Sequence, residues 1–260
     1  MYVKKTITKK KSKSLKNTRK KSKINNTRKS SRILNKNITK SKLSNIDENT
    51  KDLIKVFTEV YETNQWGDNH NPNYEGSSGV GSKLWYNKNT YIPFIRNFLI
   101  NNKINSVVDL GCGDFLIGEE IYKDMNLNYI GYDAYKGVID YNNDKFKKHK
   151  NFHFIHSDFT LVKERKNIKY ADLCIIKDVL QHLPTKIIIK FMDYITKTHK
   201  FKYILLINCY NTTQENTKTY RKDIVGGEFS SLSALRYPLL KYNAEVIYKW
   251  DTKEVSLIKL

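Results

Sequence analysis

Residues 106–115 read Ser-Val-Val-Asp-Leu-Gly-Cys-Gly-Asp-Phe, and the reading of the chain works outward from them. Val107, Val108 and Leu110 are apolar and two of them are β-branched, as in a buried strand. Gly111-Cys112-Gly113 then ends the strand. Glycine lets the backbone turn sharply and leaves no side chain in a ligand's way. In open α/β sheets, ligands bind beside such turns, at the carboxyl ends of the strands. Asp109 is the unusual residue there. A carboxylate ahead of the glycines repels a pyrophosphate and suits a cation.

S-Adenosylmethionine carries a sulfonium and an ammonium, so the stretch reads as a loop for that cofactor, with Asp109, Gly111, Cys112 and Gly113 in contact with it. A second strand over 128–133 ends in Asp133, 20 positions after Gly113. An acid at that distance can accept both ribose hydroxyls. The Gly-x-Gly-x-x-Gly fingerprint of nicotinamide dinucleotide sites is not met, because position 116 is Leu. Two further strands end in polar residues, at His156-Ser157-Asp158-Phe159 and at Lys177-Asp178 through His182.

With these residues the chain resembles the class I S-adenosylmethionine-dependent methyltransferases over roughly residues 50–260. Asp109-Leu-Gly-Cys-Gly113 matches their first motif, Asp133 the ribose acid and Asp158-Phe159 the adenine-side pair. The segment from Asp178 to Pro184 matches the one after their fourth strand. One departure is Phe115, where the family carries a third glycine. More narrowly, the chain resembles a subgroup with Trp-Gly, Ser-Gly-x-Gly-Ser and Lys-Asp-Val-Leu-Gln-His-Leu segments. Here these are Trp66-Gly67, Ser78-Gly79-Val80-Gly81-Ser82 and Lys177 to Leu183. The resemblance implies a Rossmann-like, seven-stranded, mostly parallel α/β sheet ending in an antiparallel hairpin. It also places Trp66, Ser78, Gly79, Ser82 and Lys177 at the cofactor.

The net charge of +21 is unevenly spread. Residues 1–42 hold 17 Lys or Arg and no Asp or Glu, while the remainder holds 30 basic and 26 acidic residues. Such a segment cannot bury enough apolar surface to offset its ordering entropy. It reads as a disordered basic tail, able to contact nucleic acid or another polyanion, or to act as a nuclear address. The expected organisation is a tail over 1–42, helices with a glycine-rich lid loop over 43–105, and the cofactor-binding domain over 106–260. Three scattered cysteines without a Cys-x-x-Cys imply neither a zinc site nor a disulfide framework. His153 and His156, three apart on a strand, face opposite sides, so no shared metal is expected. With no signal peptide and no run of 18 apolar residues, an intracellular protein, cytoplasmic or nuclear, is expected.

Periodicity predicts helices over 47–64, 83–101 (with a break at Pro93), 117–125, 135–146, 185–198 and 231–240. Strands are expected over 106–110, 128–133, 152–156, 171–176, 203–208, 245–250 and 254–260. The 17-residue loop over 66–82 is long enough to expect a function, and its amides can form an anion nest for the cofactor's carboxylate.

Methyl transfer from a sulfonium needs donor and acceptor held in line and shielded from water. A hydroxyl acceptor also needs a base. Asp178 and His182 are the candidates, and an imidazole has the better resting pKa. The sequence lacks the Asp/Asn-Pro-Pro-Tyr/Phe signature of base-amine methylation and the Pro-Cys nucleophile of cytosine ring methylation. Sugar hydroxyls, small molecules, protein side chains and RNA ribose stay open as acceptors. A nucleic-acid-associated enzyme using the tail for affinity and a non-catalytic protein of the same fold are the alternatives.

Overall fold

The computed structural model describes residues 52–210 and 221–260. The expectations for residues 1–42, and the start of the helix expected over 47–64, lie outside the described residues.

Helix α1, Leu53–Glu62, starts where Asp52 caps it by accepting from the Ile54 amide at 3.1 Å. Two helices follow, α2 at Leu84–Asn87 and α3 at Tyr91–Asn101. The expected break at Pro93 is not there. The helix is interrupted at Lys88–Thr90 instead, and Pro93 sits in the first turn of α3. First-turn amides have no intrahelical acceptor, so a proline there loses nothing.

The sheet is built from β1 (Ser106–Leu110), β2 (Asn128–Asp133), β3 (Phe152–His156), β4 (Leu173–Lys177), β5 (Tyr203–Cys209), β6 (Glu245–Trp250) and β7 (Lys253–Lys259). Its order is β3-β2-β1-β4-β5-β7-β6. The first five strands are parallel, and β7 pairs antiparallel with both β5 and β6. This is the expected seven-stranded architecture with its closing hairpin, turning at Asp251-Thr252. Crossover helices are α4 (Leu116–Tyr122), α5 (Lys136–Lys145), α6 (Val162–Arg165) and α7 (Thr185–Ile195).

Alternate residues of each central strand feed two cores, as period-2 geometry requires. Val107, Leu173, Ile175, Leu205 and Ile207 face one core with Tyr91, Ile95 and Leu99 of α3. Val108, Leu110, Cys174, Ile176, Ile204 and Leu206 face the other, against Ile188, Phe191, Met192 and Ile195 of α7. The helix expected over 231–240 is not formed. Only a 3₁₀ turn, Leu239–Tyr242, follows Pro238. The buried Glu254 carboxylate accepts from the Ala234 amide at 2.6 Å and from Ser233 Oγ at 3.1 Å, and holds this segment against the hairpin. The apolar residues there pack as an irregular strap rather than a helical face.

Phe115 takes a left-handed backbone, φ 56°, at the start of α4. A side chain in that conformation is strained by about 1–3 kcal/mol. Its buried ring packs against Tyr122, Tyr129, Phe146, Phe152 and Phe154. The ring needs Gly118, where any Cβ would collide with it. This local aromatic core explains how the third glycine of the methyltransferase motif is dispensed with.

Candidate functional site

At the carboxyl ends of β1, β2 and β4 lies a cavity with about 1060 Å³ of open space, counting its solvent-filled mouth. The glycine loop forms its floor. Gly111 and Cys112 both donate to the Tyr132 carbonyl, at 2.7 and 3.0 Å. Gly113 donates to Asp133 Oδ2 at 3.0 Å, and its carbonyl accepts from the buried Asn142 at 2.8 Å. Gly111 has φ 92° and lies against Val179, so a Cβ there would meet the valine. The loop is a rigid, close-approach surface.

Four strand-end acids, Asp109, Asp133, Asp158 and Asp178, reach this cavity. Asp109 is held by Tyr129 Oη at 3.0 Å through Oδ2, while its Oδ1 is buried without a partner. Burial pushes its carboxyl up to about 7, with Tyr129 and Lys177 pulling the other way. Asp133 accepts from Gly113 and, through Oδ1, from the Tyr135 amide at 2.9 Å; burial raises it too. Asp158 accepts from the Thr160 amide and hydroxyl at 2.9 and 2.6 Å. Phe159 packs at a tilt against Phe191, 5.4 Å between ring centres.

The Trp66–Ser82 segment lies along the cavity, with Trp66, Ser78 and Ser82 in its wall. Ser78 Oγ accepts from the Asp114 amide at 3.0 Å and shares a hydrogen bond of 2.8 Å with Tyr61 Oη. The segment is thus tied to the glycine loop. Of the expected anion nest, the Gly79 amide is spent on Ser77 Oγ and the Ser82 amide on the Gly79 carbonyl, both at 3.1 Å.

Asp178 has φ 60°, and its carboxylate is gripped by Lys177 at 2.7 Å and by Lys253 of β7. Burial opposes its ionisation, but the two ammonium groups outweigh it and hold the carboxyl at about 2. Lys177 also donates to the Gly81 carbonyl at 2.6 Å. His182 stands in the 3₁₀ turn Leu180–His182. Its Nδ1–H donates to the Glu228 carbonyl at 3.0 Å, which leaves the lone pair on Nε2. Gln181 accepts the Cys209 amide through Oε1, so its Nε2 faces His182 Nε2, at 3.3 Å. Burial lowers the imidazole pKa, keeping it neutral near pH 7.

The cavity therefore brings together Asp109, Gly111, Cys112, Gly113, Asp133, Asp158, Phe159, Lys177, Asp178, His182, Trp66, Ser78 and Ser82. Gly79 stands behind Trp66. Sequence reasoning missed Tyr61, Tyr91 and Lys253. Tyr61 stacks on Tyr135, 4.4 Å between centres, and Tyr91 lies 5.5 Å from Lys177 Nζ. Leu53, Phe57 and Tyr61 recur every four residues and present one face of α1 to the cavity, a pattern visible in the sequence.

No protein-family model and no curated protein matches the chain. Among solved structures, the methyltransferase domain of bacterial CtHen1 superposes with a TM-score of 0.51 at 15% identity, covering 66% of this chain and 99% of that one. An O-methyltransferase family protein from Burkholderia thailandensis gives 0.52 at 8% identity, over 68% of this chain and 56% of that one. The N-terminal domain of EvdMO1 with SAH bound gives 0.50 at 11% identity, over 71% and 85%. The chain has the fold of the class I S-adenosylmethionine-dependent methyltransferases. Among the described residues no helix is long and apolar enough to cross a membrane.

Proposed function

We propose that this protein is an S-adenosylmethionine-dependent methyltransferase acting on a hydroxyl of a saccharide or other small molecule. The observation that carries the reading is Asp109 Oδ1, buried without a partner in a cavity it shares with Asp133 and Asp158. An orphaned buried carboxylate oxygen is costly unless a ligand completes it. A cationic amino acid moiety does so. In this reading Asp109 holds the ammonium, Asp133 the ribose and Asp158 with Phe159 the adenine. Gly111, Cys112 and Gly113 let the ligand approach the backbone. The cofactor supplies an electrophilic methyl group on a sulfonium.

The protein's part is to orient, to exclude water and to take up a proton. Trp66, Ser78 and Ser82 wall the reacting end. His182 is the base, because its Nε2 lone pair is fixed by the Nδ1–H bond to Glu228. Asp178 lies beside it but is too weak a base, and acts as a fixed negative charge within its lysine pair. The decisive experiment is calorimetry with S-adenosylmethionine, followed by labelled-methyl incorporation into fractionated sugars and small molecules. Absence of cofactor binding overturns the reading.

A pH dependence follows. A cation next to Asp109 favours the ionised carboxylate, so binding below about pH 7 expels a proton. Affinity rises as the pH goes from about 5 to 7 and then levels. Folding responds in the opposite sense. Between the ordinary carboxylate pKa and about 7 the folded state keeps a proton that the unfolded state has lost, so stability falls as pH rises through that window. Asp109→Asn removes both slopes. A flat affinity profile in the native protein, or an unchanged slope in the variant, contradicts this role.

The 17 basic residues of positions 1–42 favour a polyanion contact in addition. Deleting these residues is expected to leave cofactor affinity and melting temperature unchanged and to abolish salt-sensitive retention on heparin. A melting point several degrees lower would tie the segment to the fold.

A further inference from the structure

Phe57, Trp66, His182 and Phe229 form a continuous row of rings. Centre-to-centre distances are 5.9 Å from Phe57 to Trp66, 4.9 Å from Trp66 to His182 and 5.9 Å from His182 to Phe229. The first three line the cavity, whereas Phe229 is 57% exposed, with Val225 exposed nearby at 46%. The row therefore runs from the reacting end of the cavity out to solvent.

The row's outer end is held in place. Gly227 donates to the His182 carbonyl and Ser230 to the Gln181 carbonyl, both at 3.0 Å. The Val225 amide donates to Glu228 Oε2 at 3.1 Å. Three charged side chains near the row hold protein partners, although the buried Arg221 Nε has none. Arg221 donates to the Leu183 and Gln181 carbonyls, at 2.8 and 2.9 Å. Asp223 accepts from the Thr185 amide at 2.8 Å, and Asp178 is bound by its two lysines. What the row offers a ligand is ring faces and an imidazole Nε2 whose lone pair accepts only a long bond from Gln181 Nε2, at 3.3 Å, which an acceptor hydroxyl would have to displace.

Resting on the methyltransferase reading of the same cavity, we propose that the row is the acceptor subsite, and that the acceptor is an uncharged ring compound bearing a hydroxyl. Its flat face packs on Trp66 and Phe229, and its hydroxyl donates to His182 Nε2. The methyl acceptor oxygen gives up its proton to that nitrogen as the carbon–oxygen bond forms and the carbon–sulfur bond breaks. An aromatic ring and the apolar face of a pyranose share this chemistry, since both pack on aromatic side chains. An open-chain polyol has no such face.

The test uses the full-length protein saturated with S-adenosylhomocysteine. Saturation-transfer NMR reads binding of catechol, methyl β-D-glucopyranoside and sorbitol. At least one ring probe is expected to bind well above sorbitol, and which of the two does so distinguishes an aromatic from a saccharide acceptor. Phe229→Ala and Trp66→Leu are expected to weaken that ring probe about 3- to 10-fold each, as for a lost ring contact. Phe229 is exposed, so its variant keeps the fold, and cofactor affinity measured on the same samples checks this. Ring probes that bind no better than sorbitol overturn the proposal, as does ring binding insensitive to both substitutions. Failure of S-adenosylhomocysteine itself to bind overturns the methyltransferase reading instead, so the two failures are distinguishable.

Discussion

His182→Ala is expected to lower kcat by about 100- to 10,000-fold, the range over which a positioned base contributes. Affinity for S-adenosylmethionine should stay nearly unchanged, because the imidazole holds no part of the cofactor in our reading. In our reading the Glu228 carbonyl accepts a hydrogen bond from Nδ1–H, and burial favours the neutral ring, so that a proton can be taken up at Nε2. His182 also packs at a tilt against Trp66 and Phe229, so the alanine variant loses packing as well. Melting temperature and single-turnover rate on the same sample separate the two effects. A stable variant with near-native turnover removes His182 from proton transfer and leaves positioning alone to account for the rate.

Asp133→Ala is expected to weaken S-adenosylmethionine by about 1.5–3 kcal/mol, the value of hydrogen bonds to a charged group. This carboxylate does two things at once. It holds the glycine loop through the Gly113 amide and fixes the start of α5 through the Tyr135 amide. Its remaining acceptor capacity is what faces the ribose in our reading. Asp133→Asn keeps an acceptor oxygen and loses the charge, so it should fall between the native protein and the alanine variant. Calorimetry gives the affinities, and a thermal melt shows how much of the loss is a loosened loop. An unchanged affinity in Asp133→Ala rules out the ribose role.

Much of the fold was legible because strands and glycine turns are local signals. β3 and β6 begin and end where alternation and apolar runs place them. The strand-end residues Asp109, Asp133, Asp158 and Asp178 meet in one cavity because a parallel sheet brings every carboxyl end to the same edge. Contacts between distant positions were not legible. Lys253 reaches Asp178 from two strands away, across β5, and no local pattern marks a lysine as the partner of a carboxylate 75 positions earlier. That pairing changes the chemistry, because it turns an expected base into a permanently ionised group. The 231–240 segment was misread for a related reason. Its apolar spacing fits a helix, but the buried Glu254 claims the Ala234 amide and the Ser233 hydroxyl. At Pro93 the error was one of position, since a proline is disruptive inside a helix and harmless in its first turn.

The cavity-lining face of α1 has a consequence for how the molecule assembles. Leu53, Val56 and Val60 pack against Gly226 and Gly227, roughly 170 positions further along, so close that a Cβ on either glycine would press into the helix. The contact that seats this helix, whose Leu53, Phe57 and Tyr61 line the cavity, forms only after almost the whole polypeptide is in place. Contacts of such long sequence separation carry a high loop-closure cost and form late. The helix that walls the cavity is thus seated late: partly folded chains can own the sheet and the glycine loop before this helix has its partner. Ligand that fills the closed cavity couples the two distant segments, and amide exchange in α1 and around Gly226 should slow together when it binds.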